Sequence, residues 1–328
     1  MADNRSTGKG KVACAGILVA DIFVPPLPCL PAAGALLATE DFLLETGGCA
    51  ANTGTVLAAL GGDVTVCGVV GEDVFASFIE DKLSGRGLDT SAIRRDAGGT
   101  SKTVVLTVAG EDRRFLHTFG ANTRFRAADL RHPALQDASV LYVGGYLVLP
   151  ALDPEATAQE FAAARARGAR VVLDVVVPAG DSSGLKALAP VLPHVDVFMP
   201  NDEEAETLLG LKDPGAQADR FLEMGCRSVV ITQGSRGTLV AEAGKRWSAG
   251  VYPIDFVDGS GSGDAFAAGY ILGLLEGWDT AQRLRFASAV GALACTKLGC
   301  TAGVTGRAAV EALMAKHPLE VKCAEGGA

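Results

Sequence analysis

Short β-branched runs alternate along this chain with longer segments rich in alanine and leucine, and this alternation is the strongest constraint on its fold. The runs at 12–19, 64–70, 140–143, 170–176, 195–199 and 228–232 read as strands. Between and after them, 50–60, 75–84, 154–166, 202–209, 216–224, 264–275 and 280–296 read as helices. Strand–helix–strand alternation builds a mostly parallel sheet with helices on both faces. Strands covered twice should be apolar on both sides, and these Val-, Ala- and Leu-rich runs are. At 328 residues, 48% of them hydrophobic, the chain is long enough to fill one large core, or a core with a small appendage.

Two stretches break the rhythm. Residues 35–45 and 101–119 favour strands but have no helix between or after them. In the second, 103–108, a turn at Gly110-Glu111-Asp112, and 113–118 read as a β-hairpin whose mixed strands leave one face exposed. Both stretches read as a small sheet standing off the main body like a lid; ordinary edge strands are the alternative. Residues 1–10 and 318–328 read as disordered tails.

Charge and cysteine usage narrow the function. The net charge of −9 opposes nucleic acid and anionic membrane as partners. No apolar run approaches the roughly 20 residues that a membrane helix needs, and the polar start of the chain lacks the core of a signal peptide. The eight cysteines include no C-x-x-C pair, and Cys14, Cys67, Cys226 and Cys295 sit in apolar runs. They read as buried thiols of a cytoplasmic protein. Four scattered histidines give no support to a zinc site or a histidine-based triad.

The sharpest local signal is Asp258-Gly-Ser-Gly-Ser-Gly-Asp264, followed at once by the apolar segment Ala-Phe-Ala-Ala-Gly-Tyr-Ile-Leu. Glycines before a helix let its unpaired N–H groups approach an anion. A capping aspartate on a solvent loop is the bland alternative. A helix that is apolar all round starts inside the protein, however, so its first turn should face a cleft. Other phosphate motifs are missing. Gly98-Gly-Thr-Ser-Lys102-Thr lacks the glycine before its lysine, and 12–19 runs into Ala20-Asp21 without G-x-G-x-x-G.

This arrangement resembles the ribokinase-like (PfkB) family of carbohydrate kinases, over roughly residues 11–306. Asp258–Asp264 is similar to the family's D-T-x-G-A-G-D, with Gly259 for Thr and Ser262 for Ala. Thr46-Gly47-Gly48-Cys49-Ala50-Ala51-Asn52 is similar to G-G-x-x-x-N, with Cys49 where ribokinases often carry Lys. Pro200-Asn201-Asp-Glu-Glu204 resembles N-x-x-E, and Thr232-Gln-Gly234-Ser-Arg-Gly237 resembles T-x-G-x-x-G. The resemblance implies a three-layer α/β/α kinase domain over 11–310, with a mostly parallel central sheet and lid segments at 35–46 and 100–120.

The resemblance also assigns roles. Asp264 takes the proton of the attacking hydroxyl, and the N–H groups of Gly261, Ser262 and Gly263 stabilise the transferring phosphoryl group. Asp21, Gly47, Gly48 and Asn52 bind the sugar. Asn201, Thr232, Gly234, Gly237 and Ser288 serve ATP, with Ser288 standing where the family often has Asn. Glu204 acts on Mg²⁺ through water, and Asp258 and Ser260, with the loop 299–303, form a monovalent-cation (K⁺) site. The expected acceptor is an unphosphorylated sugar. A nucleoside is the first alternative, with Phe23, Phe42, Phe115, Phe119 and Phe125 available to stack a base. A phosphosugar bound through Arg113 or Arg114 is the next, and a catalytically silent sugar-binding or regulatory protein comes last. The lid is the expected face of a homodimer.

Overall fold

The computed structural model describes residues 10–111, 113–178, 180 and 182–325. In chain order the strands and helices of the first half are β1 (Val12–Gly16), β2 (Val19–Phe23), β3 (Leu43–Gly47), α1 (Cys49–Ala59), β4 (Val64–Val70), α2 (Val74–Gly85), β5 (Asp89–Arg95), β6 (Lys102–Leu106), β7 (Arg114–Thr118) and β8 (Val140–Gly144). There follow α3 (Pro154–Ala166), β9 (Arg170–Leu173), α4 (Gly184–Leu188), β10 (Val197–Phe198), α5 (Asp202–Leu209), α6 (Pro214–Glu223), β11 (Ser228–Thr232), β12 (Thr238–Glu242) and β13 (Lys245–Ala249). The chain closes with α7 (Ser262–Leu275), α8 (Thr280–Ala294), α9 (Arg307–Lys316) and β14 (Val321–Glu325).

Among the described residues the main sheet runs β14-β13-β12-β11-β10-β9-β8-β1-β4-β5. It is parallel from β11 through β10, β9, β8, β1 and β4 to β5, and antiparallel from β11 out to β14. Alternate residues of a strand serve opposite faces, and β1 divides its buried side chains accordingly. Val12 and Cys14 join the core under α1, α7 and α8, while Ala13 and Ala15 join the core under α3, α5 and α6. Helix starts are fixed by aspartates: Asp73, Asp153, Asp213 and Asp279 each accept from the backbone N–H three residues on. After Asp153 and Asp213 a proline occupies the first turn, where a missing N–H costs nothing.

A second sheet, β3-β2-β6-β7, stands beside the first as the lid. Its strand β7 is exposed at every position. The run 12–19, expected as one strand, is broken. Gly16 has φ +134, and a Cβ there would lie 2.1 Å from the Gly144 carbonyl of the neighbouring strand. The chain therefore swings out of the main sheet at Ile17-Leu18 and re-enters as β2, in the lid. Asn122 fixes the swing: its Oδ1 accepts from Leu18 N at 3.2 Å and its Nδ2 donates to Leu18 O at 2.9 Å, both buried. On the other side Glu45 of β3 is held by Lys82 (2.9 Å) and Arg86 (3.0 Å), which joins the lid to α2 and the residue after it.

Two other expectations need correction. Only 43–47 of the first lid stretch is extended, because 35–42 finds no partner strand. The tail expected at 318–328 contains β14, since residues 321–325 pair with the open edge of β13 from Val321↔Ala249 to Glu325↔Lys245. Residues 326–328, residues 1–9 of the N-terminal tail and Asp112 of the hairpin turn lie outside the described residues. All eight cysteines are free. No described helix is long and apolar enough to cross a membrane.

Leaving two buried backbone groups of Leu18 without partners should cost about 1–3 kcal/mol each. Asn122→Ala is expected to lower the unfolding free energy by roughly 2–4 kcal/mol in urea titrations, whereas an exposed control such as Lys212→Ala stays near wild type.

Candidate active site

Helix α7 carries the central group. Every residue from Ala265 to Leu274 is buried, so its first turn opens within the molecule at the mouth of the cleft between lid and body. Gly261 caps it in the left-handed region, at φ 73, and a Cβ there would lie 2.4 Å from the Cys300 carbonyl. Around Gly263 the ground is open: a Cβ added there would meet nothing within 4 Å. Of the three expected amide donors, that of Ser262 points to the Gly259 carbonyl at a long 3.3 Å, a bond that a phosphoryl oxygen can outcompete.

Asp264 stands on this first turn. Asn52 of α1 donates from Nδ2 to its Oδ2 at 2.9 Å, and Thr53 donates to its backbone carbonyl at 3.3 Å. Burial raises its pKa, against the hydrogen bonds from Asn52 and the Cys49 thiol. A carboxylate that is raised yet held in one orientation is suited to accept a proton. Asp21 of β2 lies close enough for the two charges to interact. Burial pushes Asp21 up to about 6, a hydrogen bond from Thr103 opposes this, and the charge of Asp264 adds to it.

The paired glycines were expected to let a sugar approach the backbone, and the structure gives them a different first task. A Cβ on Gly47 would lie 1.8 Å from Asp21 Oδ2, and one on Gly48 (φ +89) would lie 2.4 Å from the Ile17 carbonyl. Their missing side chains make room for Asp21 and for the swing into the lid. Asn52 Oδ1 is buried with no hydrogen-bond partner, an acceptor left over for a hydroxyl.

Sequence reasoning missed Asp174. It follows β9 directly and accepts from the Tyr142 hydroxyl at 3.1 Å. With Cys49 and Asp264 it forms a cluster whose ligand atoms all lie within 4.8 Å of one another. Burial, then the charges of Glu204 and Asp264, holds its carboxyl well above the usual range. The usable signal was its place at the carboxyl end of a parallel strand, where open α/β sheets bind ligands. Extending the strand to 176 hid that end.

Asn201 and Glu204 cap α5 reciprocally: Asn201 Oδ1 accepts from Glu204 N at 2.8 Å and Glu204 Oε2 accepts from Asn201 N at 2.9 Å. Glu204 is nonetheless pushed up to about 7, by burial first. Together Asp264, Asp174 and Glu204, each half-buried, make an acidic floor that lacks a compensating charge among its own members. Such a donor set fits a hard divalent cation. Thr232, Gly234 and Gly237 lie on the β11–β12 connection, a hairpin closed by Gln233 N to Gly237 O at 2.8 Å. Ser288 of α8 is buried, with its hydroxyl unpartnered.

Asp258 and Ser260 do come together, as Ser260 donates from N and Oγ to Asp258 Oδ1 at 3.1 Å each. They do not fit a monovalent cation, because Arg113 of the lid reaches both. Its Nη1 lies 2.6 Å from Asp258 Oδ1 and also contacts Ser260 Oγ. Arg114 instead pairs with Glu111. Of the phenylalanines considered for a base, Phe23 and Phe125 are core residues, while Phe42, Phe115 and Phe119 are exposed on the lid side.

A glycine-capped helix start bearing a half-buried aspartate, under a β-lid on a three-layer α/β body, defines a phosphotransferase of the sugar-kinase type. A sequence profile of the pfkB family carbohydrate kinases matches residues 9–306, and the chain belongs to that family of ATP-dependent sugar kinases. It is 26% identical over 295 residues to the 5-dehydro-2-deoxygluconokinase of Clostridium perfringens, covering 86% of this chain and 87% of that one. It is 26% identical over 280 residues to the ribokinase of Haemophilus influenzae, covering 84% and 89%. An E. coli protein described as a ribokinase II, solved in complex with ATP and Mg²⁺, superposes with a TM-score of 0.80 at 23% identity, covering 94% of this chain and all of that one.

Asp264→Asn keeps the hydrogen-bonding shape and loses the base. Turnover should fall by at least about 10²-fold while the melting temperature is maintained; near-normal turnover would remove Asp264 from the mechanism. For Asp21 the sign of the linkage is opposite to that of an ordinary salt-bridged acid. Its raised pKa contributes stability that is present below about 3.8 and lost as pH rises through about 6. Asp21→Asn should therefore be more stable than wild type at pH 8, by on the order of 2 kcal/mol, with the gain shrinking towards pH 4.5. Urea midpoints across that range measure it.

Proposed function

We propose that this chain transfers the γ-phosphoryl group of ATP, with Mg²⁺, to a hydroxyl of an unphosphorylated sugar. The carrying observation is the half-buried Asp264 carboxylate, oriented by Asn52 at the open start of α7 and within charge-interaction range of Asp21. Asp21 and the spare Oδ1 of Asn52 hold the acceptor's hydroxyls and set one of them against Asp264. Asp264 takes that hydroxyl's proton as the oxygen attacks, and the first N–H groups of α7 meet the charge on the phosphoryl oxygens. Glu204 and Asp174 would hold Mg²⁺, directly or through water, and the ion would neutralise phosphate charge. Asn201, Thr232, Gly234, Gly237 and Ser288 line the nucleotide side of the cleft in this reading.

The acceptor is read as unphosphorylated from where the basic groups go. Arg113 is engaged by Asp258, Arg114 by Glu111, and Lys82 and Arg86 by Glu45. None of these pairs presents a cation to Asp21, and a second phosphate beside Asp21 and Asp264 would meet like charge. The exposed Leu43, Phe115 and Leu116 of the lid support a homodimer joined there, and eight free thiols suit the cytoplasm.

ATP consumption with a panel of free sugars, phosphosugars and nucleosides, with and without a chelator, tests this reading. A free sugar should react and chelation should abolish the reaction. Turnover of phosphosugars alone would overturn the acceptor and leave the kinase; no ATP consumption with any acceptor would favour a silent binding protein.

A further inference from the structure

Asp258 is the most enclosed acid next to the anion-binding loop, with its side chain 4% exposed. Its backbone N–H and that of Val257 both bond to the Cys295 carbonyl, at 3.2 and 2.8 Å. Its Oδ1 also receives the Ser260 N–H. The carboxylate therefore sets the shape of the chain immediately before Gly261, Ser262 and Gly263. A carboxylate so buried needs a cation. The cation it has comes from the lid, 145 positions away: the guanidinium of Arg113, immediately before lid strand β7.

Several contacts seat Arg113. Nη1 is shared between Asp258 Oδ1 and Ser260 Oγ. Nη2 lies 3.8 Å from where a Cβ on Gly259 would stand, and the guanidinium carbon is 5.7 Å from the centroid of the Phe115 ring. The remaining oxygen, Asp258 Oδ2, is buried without a hydrogen-bond partner. A metal cation seated on it would share the carboxylate with the guanidinium and meet its charge at close range.

We propose that Arg113 is a tethered cation: the lid supplies, through its guanidinium, the positive charge that orders the loop from Asp258 to Gly263, so phosphoryl transfer here needs no monovalent metal ion. Arg113 is a positioning residue. It acts through Asp258 and Ser260 on the amides of the anion hole, and so makes the order of that hole depend on the seated lid. The proposal rests on the kinase reading only for its turnover measurement.

The test uses the full chain as wild type, Arg113→Ala and Arg113→Lys. ATP turnover with the free-sugar panel and the rise in melting temperature caused by Mg·ATP are both measured with tetramethylammonium as the sole monovalent cation. Both are repeated with potassium chloride, and the alanine variant also with guanidinium chloride at low concentration. Wild type should be indifferent to potassium in both measurements. Arg113→Ala should lose about tenfold or more in turnover, the scale of one charge-assisted bond, together with part of the thermal shift. Potassium or guanidinium should restore both, which lost packing alone would not allow. Arg113→Lys keeps the charge and should keep most of the function, so a poorly folding alanine variant does not decide the matter. Stimulation of wild type by potassium would overturn the proposal. So would an alanine variant that loses nothing, or one that neither cation rescues. If wild type phosphorylates no acceptor, the kinase reading fails separately and the thermal-shift comparison still decides the role of Arg113.

Discussion

The burial of α7 from Ala265 to Leu274 is the constraint on which the rest of this molecule depends. A helix with apolar residues all round cannot lie on a surface, so its amino end has to open inside the protein. The N–H groups of its first turn, which lack helical partners, then open onto a partly exposed cleft, where an anion can satisfy them. The sequence supplies small residues before that turn instead of a capping side chain, and Gly261 turns through the left-handed region against Cys300. The cleft, the lid above it and the orientation of α1 are arranged around this one unsatisfied end.

The site holds its charges at a cost to the fold. Asp21, Asp174, Glu204 and Asp264 are all raised chiefly by burial, and the charges of Asp264 and Glu204 raise their neighbours further. Hydrogen bonds from Asn52, Tyr142, Thr103 and the Cys49 thiol offset part of this without adding a positive charge. The lysine that ribokinases often carry at position 49 would have supplied one. With a neutral thiol there, the floor is left to be balanced by what binds to it, which ties the charge state of the protein to its ligands.

Much of this was legible in the amino-acid order, for identifiable reasons. Strand β4, helix α3 and helix α5 were read to the residue because their periodicity and their Asp-Pro or Asn-led starts are local signals. Asp264 and Asn52 were each marked by a motif and Asp21 by its place after the first strand and the family resemblance, and the structure brings all three to one place. What was not legible depends on partners distant in sequence. The break of 12–19 comes from the Gly144 backbone, β14 exists because β13 has an open edge, and Arg113 meets Asp258 only when two sheets meet. Asp174 lacked a motif of its own. Its meaning comes from Tyr142 and Cys49, which lie on other elements.

The swing at Ile17-Leu18 has a mechanical consequence. Strand β1 of the body and the first strand of the lid are one stretch of chain with a two-residue joint, clamped from the side by Asn122. Asp21 belongs to the lid sheet and Asp264 to the body, so the proposed acceptor-binding residue and the proposed base sit on opposite arms of that joint. Any pivot there would change the separation of the two carboxylates directly. In that reading the lid is a lever carrying half of the site.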